Sequence, residues 1–519
     1  MKDYKALQNG SDIRGVALAK EGGKPVDLTD CAVRDLAAGF AKWLWEKYPD
    51  KDRSSFSVAV GRDSRVTGAH LQEVFCKAMA DQGFSVLDCG MATTPAMFMA
   101  TLNDEILPEG AVMITASHLP FERNGFKFFT RDGGLDKKDI SQIISFAEAE
   151  EPVSYQEHAE QGIREGRLFA YGLMEFYAAH LKRMICRGLG VEPVVDKNGR
   201  EVFGKPLEGL HVVVDAGNGA GGFYAIDVLE PLGADCSGSQ FLEPDGMFPN
   251  HQPNPENPEA MESICAAVKA AKADLGIIFD TDVDRSSAVD EQGREIARNR
   301  IVALAALLAS EGHPGTTIVT DSITSTQLGE FLTKDLGLKH LRYKRGYKNV
   351  INKGLELNAA GEDCQLAIET SGHAAMKENY FLDDGAYLAT RIVIKAAQLK
   401  KQGRAVSSLL EKMQDPAEAK EYRFAIKADD FAGYAQSVLD RVEAAVKEGE
   451  LAGSSLELPN YEGVRVNFDK AHGDGWLLIR KSLHDPVMPM NVESNRKGGI
   501  EEIFAQIRPL LGQFPQLVI

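Results

Sequence analysis

Short runs of apolar, largely β-branched residues recur along this chain, and nearly every one stops abruptly at a polar, chemically capable residue. SVAV (57–60) ends at GRDSR, AVMI (111–114) at TASH, and HVVV (211–214) at DAGNGAGG. LGIIF (275–279) ends at DTDVDR, TIVT (317–320) at DSITS, and LAI (366–368) at ETSGH. Between them lie amphipathic stretches such as HLQEVFCKAMADQG (70–83). A strand apolar on both faces must be covered on both sides, and alternation with helices predicts α/β units with mixed, mostly parallel sheets. Ligands of such sheets gather at the carboxyl ends of the strands. That is where this chain places Asp, Ser, Arg, His and Glu.

A length of 519 residues predicts three or four domains at roughly 150 residues each. Periodicity is lost at 186–208, near 293–298 and at QDPAEAKEYR (414–423). The expected segments are 1–190, 191–295, 296–415 and 416–519. The first three repeat the strand-plus-loop pattern, and the fourth, with GVRVNFD and GWLLIRKS, reads as α+β. The net charge of −18 argues against nucleic acid and anionic membrane as partners. Seven scattered cysteines, none in a C-x-x-C pair, argue against structural zinc and a disulfide framework and for a reducing compartment. MKDYKALQNG has no apolar signal core, and IVALAALLA (301–309) is too short to span a bilayer. The expectation is a cytoplasmic protein with no membrane partner.

DTDVDR is the sharpest local signal. In extended backbone, Asp280, Asp282 and Asp284 would project to one side, where three carboxylates repel unless a cation lies between them. Hard oxygen ligands suit Mg²⁺. TASHLPFERNGFK is ambiguous by itself: Ser117 and His118 fit a helix cap as well as a nucleophile. Glu369, Ser371 and His373 alternate in ETSGH and suit sugar hydroxyls, though a Ser-Gly turn reads the same way. Arg480 and Ser482 in RKSLHDP suit a phosphate, as does Lys481, or form a basic surface turn. GNGAGG (217–222) fits a dinucleotide fingerprint only as a lone match. FDTDVD also admits Asp280 as an aspartyl-phosphate nucleophile, which leaves Ser117 without a purpose.

TASHLPFERNGFK, DTDVDR, ETSGH and RKS, in that order, resemble the α-D-phosphohexomutase family, the phosphomannomutase/phosphoglucomutase type in particular. SDIRGV, VGRDSR, DAGNGAGG and DGMFPNHQPNPENPE extend the resemblance over about residues 11 to 490. It implies four domains, three of them related and α/β, around one central cleft. It implies that Ser117 is a phosphoserine and that Asp280, Asp282, Asp284 and that phosphoserine hold Mg²⁺. It implies that Glu369, Ser371 and His373 bind sugar hydroxyls, and that Arg480 and Ser482 bind the non-reacting phosphate. Arg14, His118, Lys127 and Arg285 match positions around the transferred phosphoryl group, Lys127 or His118 being the candidate acid/base. Lys348, in RGYKNV, matches a substrate position. GNGAGG becomes a structural junction.

The activity implied is interconversion of hexose 1-phosphate and 6-phosphate, of glucose or mannose, through a hexose 1,6-bisphosphate that also serves as activator. The chain would act as a monomer or homodimer. Departures from the family pattern are Leu119, Thr370, and Leu483 and His484 in place of a small residue and Thr. Leu carries no side-chain donor, whereas His484 offers one. Hexose preference is thus open, with phosphoglucosamine mutase and a sugar-phosphate-binding regulatory protein as alternatives.

Overall fold

A computed structural model describes residues 3–149, 166–197, 199, 201–482 and 485–519. The chain forms two compact units, Met1–Ile301 with Ser371–Leu409, and Val302–Thr370 with Leu410–Ile519.

The first unit opens with an eight-stranded sheet. Its centre, Ser57–Arg62, pairs in parallel with Ser85–Met91 and with Gly110–Ile114. Arg123–Thr130 returns antiparallel to Gly110–Ile114 and borders Asp12–Val16. Helix Asp30–Lys47 covers one face. Thr29 caps it by accepting from the Ala32 amide, and Val33, Leu36, Ala37, Phe40, Ala41 and Leu44 recur at helical spacing on its buried side. Phe40 meets Phe128 at 4.7 Å and Phe75 meets Phe126 at 5.3 Å between ring centroids. Strand alternation then turns Lys127, between those two phenylalanines, to the opposite face.

Asn124–Gly125, which reads as a turn in sequence, lies inside this strand. Gly125 is there because a Cβ would stand 2.1 Å from the Ile13 carbonyl oxygen. The same unit holds a four-stranded sheet in which Val212–Asp215 and Leu275–Phe279 run parallel, with Ser286–Val289 and Glu295–Ile296 added antiparallel. Ala374–Met376 and Leu382–Asp383 form an antiparallel hairpin that leads into helix Gly385–Lys401.

In the second unit, Thr317–Thr320 lies between Lys339–Arg342 and Cys364–Ile368, parallel to both. A six-stranded antiparallel sheet follows, covered by helices Phe431–Lys447 and Gly499–Leu511. Its strand Glu418–Ile426 begins inside the stretch 414–423 that lacks sequence periodicity. Three of this strand's first four residues are charged, and most of it is exposed, which hides the alternation that marks a strand. The apolar run 301–309 lies in helix Asn299–Ala309. Among the described residues no helix is long and apolar enough to cross a membrane.

Candidate active site

The strand Gly110–Ile114 delivers Thr115, Ala116 and Ser117 beyond its carboxyl end. Ser117 sits at φ 51°, in the left-handed region, and is almost fully buried. The Thr115 hydroxyl accepts from the Ser117 amide at 2.8 Å and donates to Asp63 at 2.7 Å. Arg65, wholly buried, donates to the main-chain carbonyls of Ser117, Leu119 (2.6 Å), Pro120 (2.9 Å) and Arg123 (2.9 Å). Its guanidinium thus fixes the serine loop from behind. Arg14 adds a bond to the Ala116 carbonyl at 2.9 Å and pairs with Asp12.

The DTDVDR loop starts where Leu275–Phe279 ends. Its backbone is not extended, as the alternation alone would suggest. It folds back so that the Asp280 amide donates to the Arg285 carbonyl at 3.3 Å, and Val283 takes φ 66°. The alternate carboxylates converge all the same: Asp280, Asp282 and Asp284 bring oxygens within 4.8 Å of one another. The Asp280 Oδ2 lies 3.1 Å from the Ser117 hydroxyl. Lys127 donates to Asp282 at 3.2 Å and to Asp284. Arg285 donates to Asp280 (2.9 Å), to Ser117 Oγ (3.1 Å) and to His118 Nδ1 (2.6 Å). Ser117, His118, Lys127, Asp280, Asp282, Asp284 and Arg285 therefore form one contact network.

Burial, with Asp284 and Asp282 nearby, pushes the Asp280 carboxyl well above the usual range. Burial acts on Asp284 in the same sense, but Lys127, His373 and Arg285 outweigh it and hold that carboxyl low. His118 is driven down to about 2 by burial, Arg285 and Arg14, so it is neutral. Burial lowers His373 as well, yet Asp383 and Asp284 lift it to about 9. Asp282 Oδ1 and Asp284 Oδ1 are buried without a hydrogen-bond partner. Buried hard oxygens, mutually repelling and incompletely paired, fit a divalent cation such as Mg²⁺.

His373 lies beside Arg285 in an isolated antiparallel bridge, and its Nδ1 contacts Asp383 at 2.6 Å. The Ser371 hydroxyl is buried with no partner among the described residues. In the second unit, Glu369 accepts from the Gly346 amide at 2.6 Å. Lys348 stands in the first turn of helix Tyr347–Ala359. Arg480 follows strand Gly475–Ile479, almost buried, its Nε without a partner. The Ser482 hydroxyl accepts from the Asp485 amide at 3.1 Å. Leu483 and His484 lie outside the described residues.

Several supporting residues escape a motif-by-motif reading. Thr94 donates to Asp282 at 2.5 Å, and its amide donates to the Asp282 carbonyl. Gly219 of GNGAGG lets the Thr281 carbonyl approach, where a Cβ would stand 2.6 Å away, and the Ala220 amide donates to that carbonyl at 2.8 Å. The glycine-rich turn is thus packed against the acidic loop. Gln252 donates to the His118 carbonyl at 2.8 Å, and Asn254 accepts from Arg285 at 3.3 Å. DAGNGAGG and DGMFPNHQPNPENPE, which hold Gly219, Gln252 and Asn254, extend the family resemblance in sequence, whereas Thr94 carries no such signal.

Family models described as phosphoglucomutase/phosphomannomutase, alpha/beta/alpha domains I, II and III, match residues 5–153, 197–293 and 297–416. A phosphoglucomutase of Neisseria gonorrhoeae is 28% identical over 508 residues, covering 98% of this chain and 97% of that protein. A phosphoglucomutase/phosphomannomutase of Thermococcus kodakarensis is 30% identical over 434 residues, covering 83% and 84%. The crystal structure of a phosphoglucomutase/phosphomannomutase family protein from Burkholderia thailandensis superposes with a TM-score of 0.73 at 25% identity, covering 97% of this chain and 96% of that one. With three matched domains in series, a fold shared over nearly the whole length and a relative at 30% identity, the chain belongs to the phosphoglucomutase/phosphomannomutase family of mutases.

Proposed function

We propose that the protein interconverts the 1- and 6-phosphates of glucose, mannose or both, with Ser117 as phosphoryl carrier. The observation that carries this reading is the position of the Ser117 hydroxyl, within 3.1 Å of both Asp280 and Arg285, beside the converging carboxylates. Asp280, Asp282, Asp284 and phospho-Ser117 would hold Mg²⁺, which when bound supplies positive charge to the phosphoryl oxygens.

The chain's own groups do the rest. A free sugar hydroxyl attacks the phosphorus of phospho-Ser117; its O–P bond forms as the Ser117 Oγ–P bond breaks. The sugar proton passes to a base and Ser117 Oγ is left to regain one. The resulting hexose 1,6-bisphosphate returns its other phosphoryl group to Ser117 by the reverse displacement. Arg285 and Arg14 neutralise the group in transfer. Lys127 is the proton carrier we favour, because the neutral His118 sits as acceptor to Arg285. Glu369, Ser371 and His373 hold sugar hydroxyls, with Lys348 a further substrate contact, and Arg480 and Ser482 hold the second phosphate. We place the reaction in the cytoplasm.

Intact mass with peptide mapping should find phosphate on Ser117. Coupled assays with glucose 1-phosphate and mannose 1-phosphate, Mg²⁺ and a catalytic amount of hexose bisphosphate should show turnover that Ser117→Ala abolishes. Absence of turnover on both sugars by Ser117-phosphorylated protein would sink the proposal.

A further inference from the structure

Arg480 has a guanidinium Nε that is buried and unpartnered, on a side chain about nine-tenths hidden from solvent. A desolvated cation of this kind is costly unless anions complete it. The neighbourhood holds a second arginine. Glu462 accepts from the main-chain amide of Arg345 at 3.2 Å and from the Ser322 hydroxyl. The next residue, Gly463 at φ 59°, packs so closely on Arg480 that a Cβ would stand 2.9 Å from the Arg480 Cα. Val464 then pairs with Ile479 in the sheet. One residue of chain therefore separates the anchor of Arg345 from the backbone of Arg480. The Arg345 Nε lies 3.8 Å from Asp321, itself fully buried, held by Thr370 at 2.9 Å and left with its other oxygen unpartnered.

We infer that Arg345 and Arg480 form a two-guanidinium clamp for the non-reacting phosphate of the sugar substrate, with Asp321 and Glu462 setting the position of Arg345. Two planar, permanently charged forks match the oxygens of a phosphate dianion bidentately, as a single lysine cannot. The electrostatics agree: burial first, and Arg345 next, lower the proton affinity of Arg480 against the opposing pull of Glu462, Glu421 and Asp321, and a bound dianion would relieve the repulsion between the two arginines. In sequence, Leu483 of the same motif offers no side-chain donor, a loss that a second arginine would make good. The identity of the phosphate rests on the mutase reading; the anion site does not.

The test uses full-length protein and calorimetric titration with glucose 6-phosphate and with inorganic phosphate, alongside steady-state kinetics. Arg345→Ala is expected to weaken glucose 6-phosphate binding by about 10- to 100-fold, the value of charge-assisted hydrogen bonds lost, and to raise KM more than it lowers kcat. Arg345→Lys, which keeps charge and fold, should recover only part of the loss. Because both forks grip one ligand, Arg345→Ala and Arg480→Ala together should lose less than the product of the separate losses. Binding within twofold of wild type in Arg345→Ala, or strictly multiplicative losses, would overturn the clamp, as would a wild type that binds neither probe. A wild type that binds but does not isomerise would remove the mutase reading and leave the clamp in place.

Discussion

Replacing Arg65 by alanine separates two explanations of a buried arginine: counter-ion to Asp63, or clamp for the serine loop. Burial lifts the Asp63 carboxyl from 3.8 to about 6, partly offset by Arg65 and Thr115. That lift means an ionised Asp63 at pH 7 already weighs about 3 kcal/mol against the fold. Without Arg65 the carboxyl can do no worse than take up a proton, which adds about 1 kcal/mol at pH 7 and almost nothing at pH 6. The clamp counts for more. The Ser117 carbonyl belongs to a buried residue, and leaving it unpaired costs about 2 kcal/mol. The carbonyls of Leu119, Pro120 and Arg123 sit in more exposed residues where water substitutes, at about 0.5 kcal/mol each.

Arg65→Ala should therefore destabilise the protein by about 4.5 kcal/mol at pH 7 and still by about 3.5 kcal/mol at pH 6. Urea unfolding followed by tryptophan fluorescence reports on this region, since Trp43 and Trp45 both lie in the helix Asp30–Lys47 that covers the sheet. In folded Arg65→Ala protein, uptake of phosphate at Ser117 should fall at least tenfold. A loss of stability that disappears at pH 6 would show that Arg65 serves Asp63 alone, and the reasoning would fail.

Asp384 gives a pH prediction of known sign. It caps helix Gly385–Lys401 and accepts from Tyr177 at 2.6 Å, yet burial raises it to about 6. A carboxyl raised in the folded state contributes its stability below about pH 4 and loses it as pH rises through 6, so the advantage of wild type over Asp384→Asn should shrink by about 3 kcal/mol from pH 4 to pH 7 in urea titrations. A pH-independent difference would contradict the assignment. Gly463→Ala would place a methyl 2.1 Å from the Ile479 carbonyl oxygen on left-handed backbone. It should cost more than about 2 kcal/mol and weaken phosphate binding through Arg480, whereas unchanged melting and binding would refute the close packing.

The sequence carried the fold class because every central strand is apolar on both faces and short, from Val212–Asp215 to Cys364–Ile368. It pointed to the candidate site because those polar residues sit directly after the strands. It misled where exposure removes periodicity, as at Glu418–Ile426, and where a glycine serves packing, as at Gly125 inside a strand. The alternation of Asp280, Asp282 and Asp284 pointed to convergence, but through a folded-back loop that no extended-strand rule describes. Among the residues that set geometry, the roles of Thr94, Gln252 and Asp383 were not legible for a different reason. Thr94 and Gln252 act through partners more than 100 residues away, and Asp383 through His373 across a hairpin, and none leaves a spacing to detect.

The left-handed backbone at residue 117 bears on which hydroxyl amino acid suits the proposed phosphoryl carrier. Threonine offers the same oxygen for phosphorylation, but a β-branched residue at φ near 51° is strained, as Val283 is at φ 66°, whereas short unbranched side chains tolerate this backbone better. Under the proposed mechanism a phosphothreonine at this point would strain the loop, while aspartate, which accepts left-handed backbone, could stand in for the charged form. On that mechanism the branching of a carbon atom at this position would matter as well as the oxygen proposed to react.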